Sequence, residues 1–215
     1  MTKVARTRRP VTRRTQQRAV ETRERLVAAA LEVFAGHGFE GATTREIARR
    51  AGVALAALPY HFTTKEALWK AAADCIFGQL RDHFETHAAG GAGAEPRERL
   101  QNLLRALVHF ASEHPELHRF MLQEGTDRAQ RLVWLVETHV RPLYRTVVRL
   151  AKEGQARGFL VEGRPEQVFY ALIGAASLPY AMAPEYELLT RAKADTPRRV
   201  EDHVRFLLRL FRVEP

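Results

Sequence analysis

Residues 43–68 read TTREIARRAGVALAALPYHFTTKEAL, and they leave the backbone few choices. Thr43 followed three residues later by Glu46 has the spacing of a capping box: the Thr43 hydroxyl accepts from the Glu46 amide and the Glu46 carboxylate reaches back. A short helix is expected from there to about Arg50. Ala48 is expected to face the next helix, where only a small side chain permits close approach. Gly52, four residues on, supplies the positive φ that a tight helix-to-helix turn requires. Val53 and Leu58 plug the gap between the two helices. The second of them is expected over 54–58, reaching Tyr60 at most. Pro59 removes a backbone donor and disfavours a helical Leu58, so this helix should be short or bent. Thr63 and Glu66 repeat the capping-box spacing and open a long helix to about His87. The outline is a helix-turn-helix, although any helical hairpin can turn at glycine.

Charge separates the two readings. The chain of 215 residues has a formal net charge of +9. Residues 1–70 hold 14 Lys and Arg against 6 Asp and Glu, whereas residues 71–215 hold 20 against 19. A basic third on a nearly neutral body predicts that one part meets a polyanion and the other does not. Residues 1–19 carry Lys3, Arg6, Arg8, Arg9, Arg13, Arg14 and Arg18 with no acid and few large apolar side chains. Such an arm cannot bury enough surface to offset its ordering entropy and is expected to be disordered when free. It reads either as an arm that neutralises phosphates or enters a minor groove, or as a solubilising tail.

On DNA, the recognition helix would present Ala54, Leu55, Ala56 and Ala57. These offer no base-reading hydrogen bonds, only apolar contact to thymine methyls. Polar contacts then fall to Thr44, Arg45 and Arg49 on the preceding helix and to Tyr60 and His61 after it. Lys65 and the N-terminal amides of the third helix can hold one phosphate. The candidate DNA-binding set is Thr44, Arg45, Arg49, Ala54, Leu55, Ala57, Tyr60, His61 and Lys65.

Upstream, Leu26, Val27, Ala30, Val33 and Phe34 fall on one helical face. Thr22 is the expected N-cap, Gly36 or Gly38 the expected stop, and Phe39 should fold back onto the helix. Downstream, residues 88–95 read as a flexible connector; no Lys-Ser/Thr and no preceding strand accompany its glycines. Pro96 opens a helix striped by Leu100, Leu103, Leu104, Leu107 and Phe110, and Pro115 a short one. A long helix is expected from about Asp127 to Glu153, kinked at Pro142. Residues 154–163 form a break. Pro165 opens an almost wholly apolar helix to about Leu178, and Pro197 opens the last. The uncharged run 167–184 falls short of the ~20 apolar residues that span a bilayer and is expected to be covered by a partner. No stretch alternates with period two for long enough to be a strand. The fold class is therefore all-α, roughly nine helices, with an N-terminal three-helix helix-turn-helix DNA-binding domain and a helical body.

The segment GVALAALPYHFTTKEALW, preceded by TTREIARRA and by a helix ending FAGHGFEGA, resembles the N-terminal domain of the tetracycline-repressor (TetR) family. The match covers residues 22–70; the rest agrees in layout. Two positions depart from the family pattern: Pro59, where Tyr or Asn is more usual, and Ala54, where Ser or Asn is. The resemblance implies a basic arm at 1–20, a DNA-binding domain at 21–66 and an effector-binding and dimerisation domain at 67–215. It implies phosphate contacts at Tyr60, His61 and Lys65, a homodimer built through the last two helices, and release from a palindromic operator by a small-molecule effector. Candidate pocket residues are Phe110, Phe120, Met121, Glu124, Trp134, Tyr144, Phe169 and Tyr170, each of which also reads as plain core.

The remaining signals are bland. His83 and His87, and His114 and His118, are spaced i, i+4, but no Cys joins them and no HExxH appears, so no metal site is expected. Cys75 reads as a small buried thiol. A single cysteine and the absence of an apolar segment after the basic residues predict a cytoplasmic protein. No nucleophile elbow, P-loop or dinucleotide fingerprint is present, which argues against an enzyme and against a cofactor. The expected function is a ligand-responsive transcriptional regulator, a repressor by preference. The alternative is a sequence-tolerant, charge-driven DNA-binding protein without an effector.

Overall fold

The structure is a computed structural model that describes residues 13–87, 94–125 and 130–214. The first twelve residues of the basic arm, residues 88–93 of the expected connector and the expected start of the long helix at Asp127 lie outside the described residues. Every regular element among the described residues is helical. In order they are α1 (Arg13–Gly41), α2 (Thr44–Arg50), a 3-10 turn (Leu55–Ala57), α3 (Leu58–His61), α4 (Lys65–His87), α5 (Pro96–Glu113), α6 (Pro115–Glu124), α7 (Gln130–Leu135), a π-helical turn (Val136–Val140), α8 (Arg141–Ala156), α9 (Pro165–Ala181), α10 (Ala183–Thr190) and α11 (Pro197–Leu210). With the unbroken run from α7 through α8 taken as one, the α-helices number ten among the described residues. The one beyond the expected nine is α10.

Helices α5, α6, α9 and α11 all begin on proline. The missing N–H is one that a first turn leaves unpaired anyway, and the ring presets φ. Pro142 acts differently, inside a helix. It cannot donate to the preceding turn and its ring crowds the carbonyl four residues back. The helix answers by widening to a π turn just upstream, where the Arg141 N–H reaches the Val136 carbonyl.

Helix α1 is longer than the apolar stripe suggests. It takes in residues 13–20, so Thr22 is not its cap; the Thr22 hydroxyl donates back to the Arg18 carbonyl at 2.8 Å. The chain turns at Gly38 (φ 66°, ψ 178°), a conformation closed to side chains bearing a Cβ. Gly36 stays helical. Phe39 then folds back and stacks on Phe34, with ring centroids 5.9 Å apart.

Two cores result. The first gathers α1, α2, α3, α4 and α6 around fully buried Phe34, Ile47, Leu68, Trp69 and Phe120. The second gathers α5, α8, α9 and α11 around Leu100, Leu104, Ala151 and Leu207. Phe84, Val140 and Leu143 pack against both. Each large side chain so buried contributes about 1.5–3 kcal/mol. No described helix is long and apolar enough to cross a membrane.

Candidate nucleic-acid interface

The motif is held from three sides. Ile47 and Ala48 of α2 are buried where α2 packs between α1 and the following 3-10 turn, and the Thr43 hydroxyl accepts from the Glu46 amide at 3.1 Å. Only this half of the expected capping box forms. The Glu46 carboxylate turns instead to Arg49 (2.7 and 2.8 Å) and Arg50 (2.8 Å), whose hydrogen bonds hold its pKa down to about 2. Two guanidiniums outcompete one backbone amide for a carboxylate. Gly52 adopts φ 63°, the Val53 amide closes the turn on the Ala48 carbonyl at 3.0 Å, and Leu58 is buried. Arg25 of α1 donates to the Ala51 carbonyl at 3.4 Å, bracing the turn. No local spacing rule reaches Arg25, because its partner lies 26 residues away.

After the turn the recognition element is a 3-10 turn followed by α3, with Pro59 in its first turn. Leu58 is right-handed helical (φ −59°, ψ −47°), contrary to the expectation that Pro59 would push it out. The restriction before proline is a preference, and burial of Leu58 outweighs it. Ala54, Leu55 and Ala56 face solvent, Ala57 and His61 are half-buried, and Tyr60 is 84% exposed with its ring edge-on to His61.

The second capping box is displaced by one residue. Thr64, not Thr63, caps α4, accepting from the Ala67 amide at 3.0 Å, while Glu66 bridges to Lys70 at 2.8 Å. Lys65 lies with its Nζ 4.6 Å above the Phe39 ring and 3.4 Å from the Glu40 carbonyl. Arg45 is exposed and makes no ion pair among the described residues, while Arg49 is engaged by Glu46 yet remains 69% exposed. The candidate residues thus divide among α2, the recognition element and the start of α4.

The candidate pocket residues do not converge. Phe110, Phe120, Met121, Glu124 and Trp134 belong to or pack against the first core, Tyr144 and Phe169 meet edge-on in the second, and Tyr170 is 72% exposed. Glu124 is 5% exposed, 3.5 Å from Arg131, and burial raises its pKa despite that partner. A cavity of about 470 Å3 opens elsewhere, between α4, α5 and the run from the π turn into α8. None of the eight candidates lines it. The histidine pairs are used locally: the His83 and His87 rings stack, His114 meets Glu116 at 3.1 Å and His118 meets Ser177 at 2.9 Å.

Two family models match this arrangement: residues 26–72 fit that of the bacterial regulatory proteins of the tetR family, and residues 96–210 fit the tetracyclin repressor-like C-terminal domain. The chain belongs to the TetR family. It is therefore a helix-turn-helix transcriptional regulator, in a family of regulators rather than enzymes. The chain is similar to the HTH-type transcriptional regulator BetI of Rhizobium meliloti (strain 1021), 43% identical over 94 residues, which is 44% of this chain and 45% of that one. The chain thus spans less than half the length of BetI. It is also similar to "Probable HTH-type transcriptional regulator YttP" of Bacillus subtilis (strain 168), 24% identical over 78% of this chain and 80% of that one. A TetR-family regulatory protein from Rhodococcus RHA1 superposes with TM-score 0.69 at 20% identity, over 88% of this chain and 96% of that one, and shows the same fold.

Proposed function

We propose that this TetR-family chain is a homodimeric, cytoplasmic repressor that binds a palindromic operator and leaves it when a small molecule occupies the body. The observation that carries the reading is the double duty of α4. Its start buries Leu68 and Trp69 in the core of the DNA-binding unit, and its later residues Phe77, Leu80, Arg81 and Phe84 line the 470 Å3 cavity. One rigid helix therefore feels both sites. An effector that prefers a spacing of the two recognition elements that DNA does not will oppose DNA, and DNA will oppose the effector equally. Pairing is supported by an uncovered apolar face on the last helices: Tyr170 and Leu178 of α9 and Phe206 and Leu210 of α11 are all more than 40% exposed. Covered by a second copy, that face makes a four-helix bundle and sets two recognition elements ~34 Å, or a multiple of it, apart.

In this reading Arg45, Arg49, Tyr60, His61 and Lys65 hold phosphates, Thr44 supports them, and Ala54, Leu55 and Ala57 meet thymine methyls. Footprinting on the DNA upstream of the protein's own gene should reveal a two-fold protected site; no such site there or elsewhere in the genome would sink the proposal. Lys65→Ala should weaken binding to all sequences and lower the salt slope by about 1. A change of preferred sequence with the slope intact would refute the phosphate role. The exposed Ala54, Leu55 and Ala56 also favour a second reading, a sequence-tolerant binder. It predicts equal affinity for operator and random duplexes, and a large specificity ratio removes it.

A further inference from the structure

The cavity between α4, α5 and α8 has two kinds of wall. Its floor is apolar, built from Phe77, Leu80, Phe84, Leu103, Leu143 and Leu150. Past Phe84, Leu103 and Leu143 the floor continues as a closed seam between α5, α8 and α9, lined only by apolar side chains as far as Leu172 and Ile173. Its wall is basic. Arg81, Arg99 and Arg149 stand on it against one carboxylate, Glu85. Arg99 is engaged by Glu153 at 3.0 Å, whereas Arg81 and Arg149, both exposed, make no ion pair among the described residues. Thr138 and Thr146 add hydroxyls, and His139, stacked on Phe77 at 4.8 Å, is disfavoured as a cation by its burial. Thr138 and His139 reach this wall from the π turn, a helix irregularity that recurs at functional sites.

We propose that this cavity binds an amphipathic organic anion: an unbranched aliphatic chain with an anionic head, a carboxylate in the first instance. The head lies between Arg81 and Arg149, whose planar forks suit a carboxylate, and the chain lies along Phe84, Leu103 and Leu143. The volume is in the range of ligand sites, ~300–1,000 Å3. Arg81 and Arg149 are both exposed, so a neutral ligand leaves them to water and gains nothing from them, whereas a cationic one would meet like charge. The binding claim stands on the cavity itself; only its regulatory consequence rests on the effector reading above.

The test uses the full-length chain without DNA, titrated below micellar concentrations with decanoate, decyl phosphate, decanol and decylamine. Trp134 reports, since its ring packs edge-on against His139 at 5.3 Å. Decanoate should saturate the protein and bind about tenfold or more tighter than decanol, the scale of one charge-assisted hydrogen bond, with decylamine weaker still. In the Arg81→Gln, Arg149→Gln double variant that preference should vanish while decanol binding stays unchanged. Tighter binding of decyl phosphate than decanoate would keep the anionic class and overturn the carboxylate head. No saturable decanoate binding, or equal binding of decanoate and decanol to the unaltered protein, overturns the proposal outright. Release of operator DNA is scored separately by gel shift: decanoate that binds and leaves DNA bound sinks the effector reading alone.

Discussion

The DNA-binding unit and the body are both helical, yet one is fixed by a tight, braced turn and the other opens beside a cavity. Around α2 and α3, Ile47, Ala48, Leu58 and Phe62 are buried on short elements whose turn is fixed by Gly52 and braced by Arg25. The body spreads its stripe over longer helices, widens one of them into a π turn, and leaves a 470 Å3 cavity beside it. A closed frame moves as a unit; a frame with a void can change shape when the void fills. The two meet at the end of α1, away from the recognition element. There the Phe39 ring carries the Arg131 guanidinium at 3.7 Å and Lys65 at 4.6 Å, and Trp69 behind it stacks on Phe120 at 5.3 Å. Coupling between the regions is read best at this junction.

The hardest blow to it is Trp69→Ala. Trp69 is fully buried and touches Phe39, Phe120 and Trp134, so it belongs to both regions. Its loss should cost about 3–5 kcal/mol in urea unfolding and lower the stability of both regions together. A cost below about 1 kcal/mol would mean that the junction is not shared. Next comes Gly38→Val. Gly38 sits at φ 66° and ψ 178°, and a Cβ there would lie 3.0 Å from Gln123 Oε1 of α6. About 1–3 kcal/mol should be lost. Wild-type stability in this variant would show that the kink at the junction is unstrained.

What was legible in the sequence follows the same division. Gly52 and Thr43 act through the backbone within a few residues, and their roles could be read from spacing alone. The prolines announced four helix starts in the body for the same local reason. Partner choice was not legible. Glu46 abandons its capping amide for Arg49 and Arg50, and nothing local ranks those partners. The cavity was equally hidden, because a stripe says which face is buried and not whether the facing side chains fill the space. Arg81, Arg99 and Arg149 sit on three helices whose mutual placement no periodicity records. Short α10 escaped because its exposed Leu188 and Leu189 give no buried face to detect.

The displaced cap allows a finer test inside the closed region. Thr64→Ala should cost about 1 kcal/mol by leaving the Ala67 amide unpaired, and Thr63→Ala should be close to neutral. The reverse order, in parallel chemical denaturation of the two variants, would return the cap to Thr63.

The smallest expected effect separates the regions by pH. His83, His118, His139 and His203 all lie between the second half of α4 and α11, and burial lowers each from 6.5. In the unfolded chain they take up protons near that value; in the folded protein they resist until lower pH. The unfolded state therefore binds more protons below 6.5, and stability contributed by keeping these rings neutral is full above that pH and declines beneath it. Glu124 runs the other way, since burial raises it from 4.5 and the folded state holds its proton more readily. Its carboxyl offsets part of the loss only as pH nears its own range. Glu46 and Glu66, lowered by their Arg and Lys partners in the DNA-binding unit, keep their contribution until pH falls below 4.5, and solvent screening keeps it small. Melting temperature should thus fall by roughly a few degrees from about pH 7.5 to about pH 5.5, and His118→Asn should flatten the slope where Glu46→Gln does not. A flat profile over that interval, or one flattened by Glu46→Gln, would show that the acid response does not arise in the body.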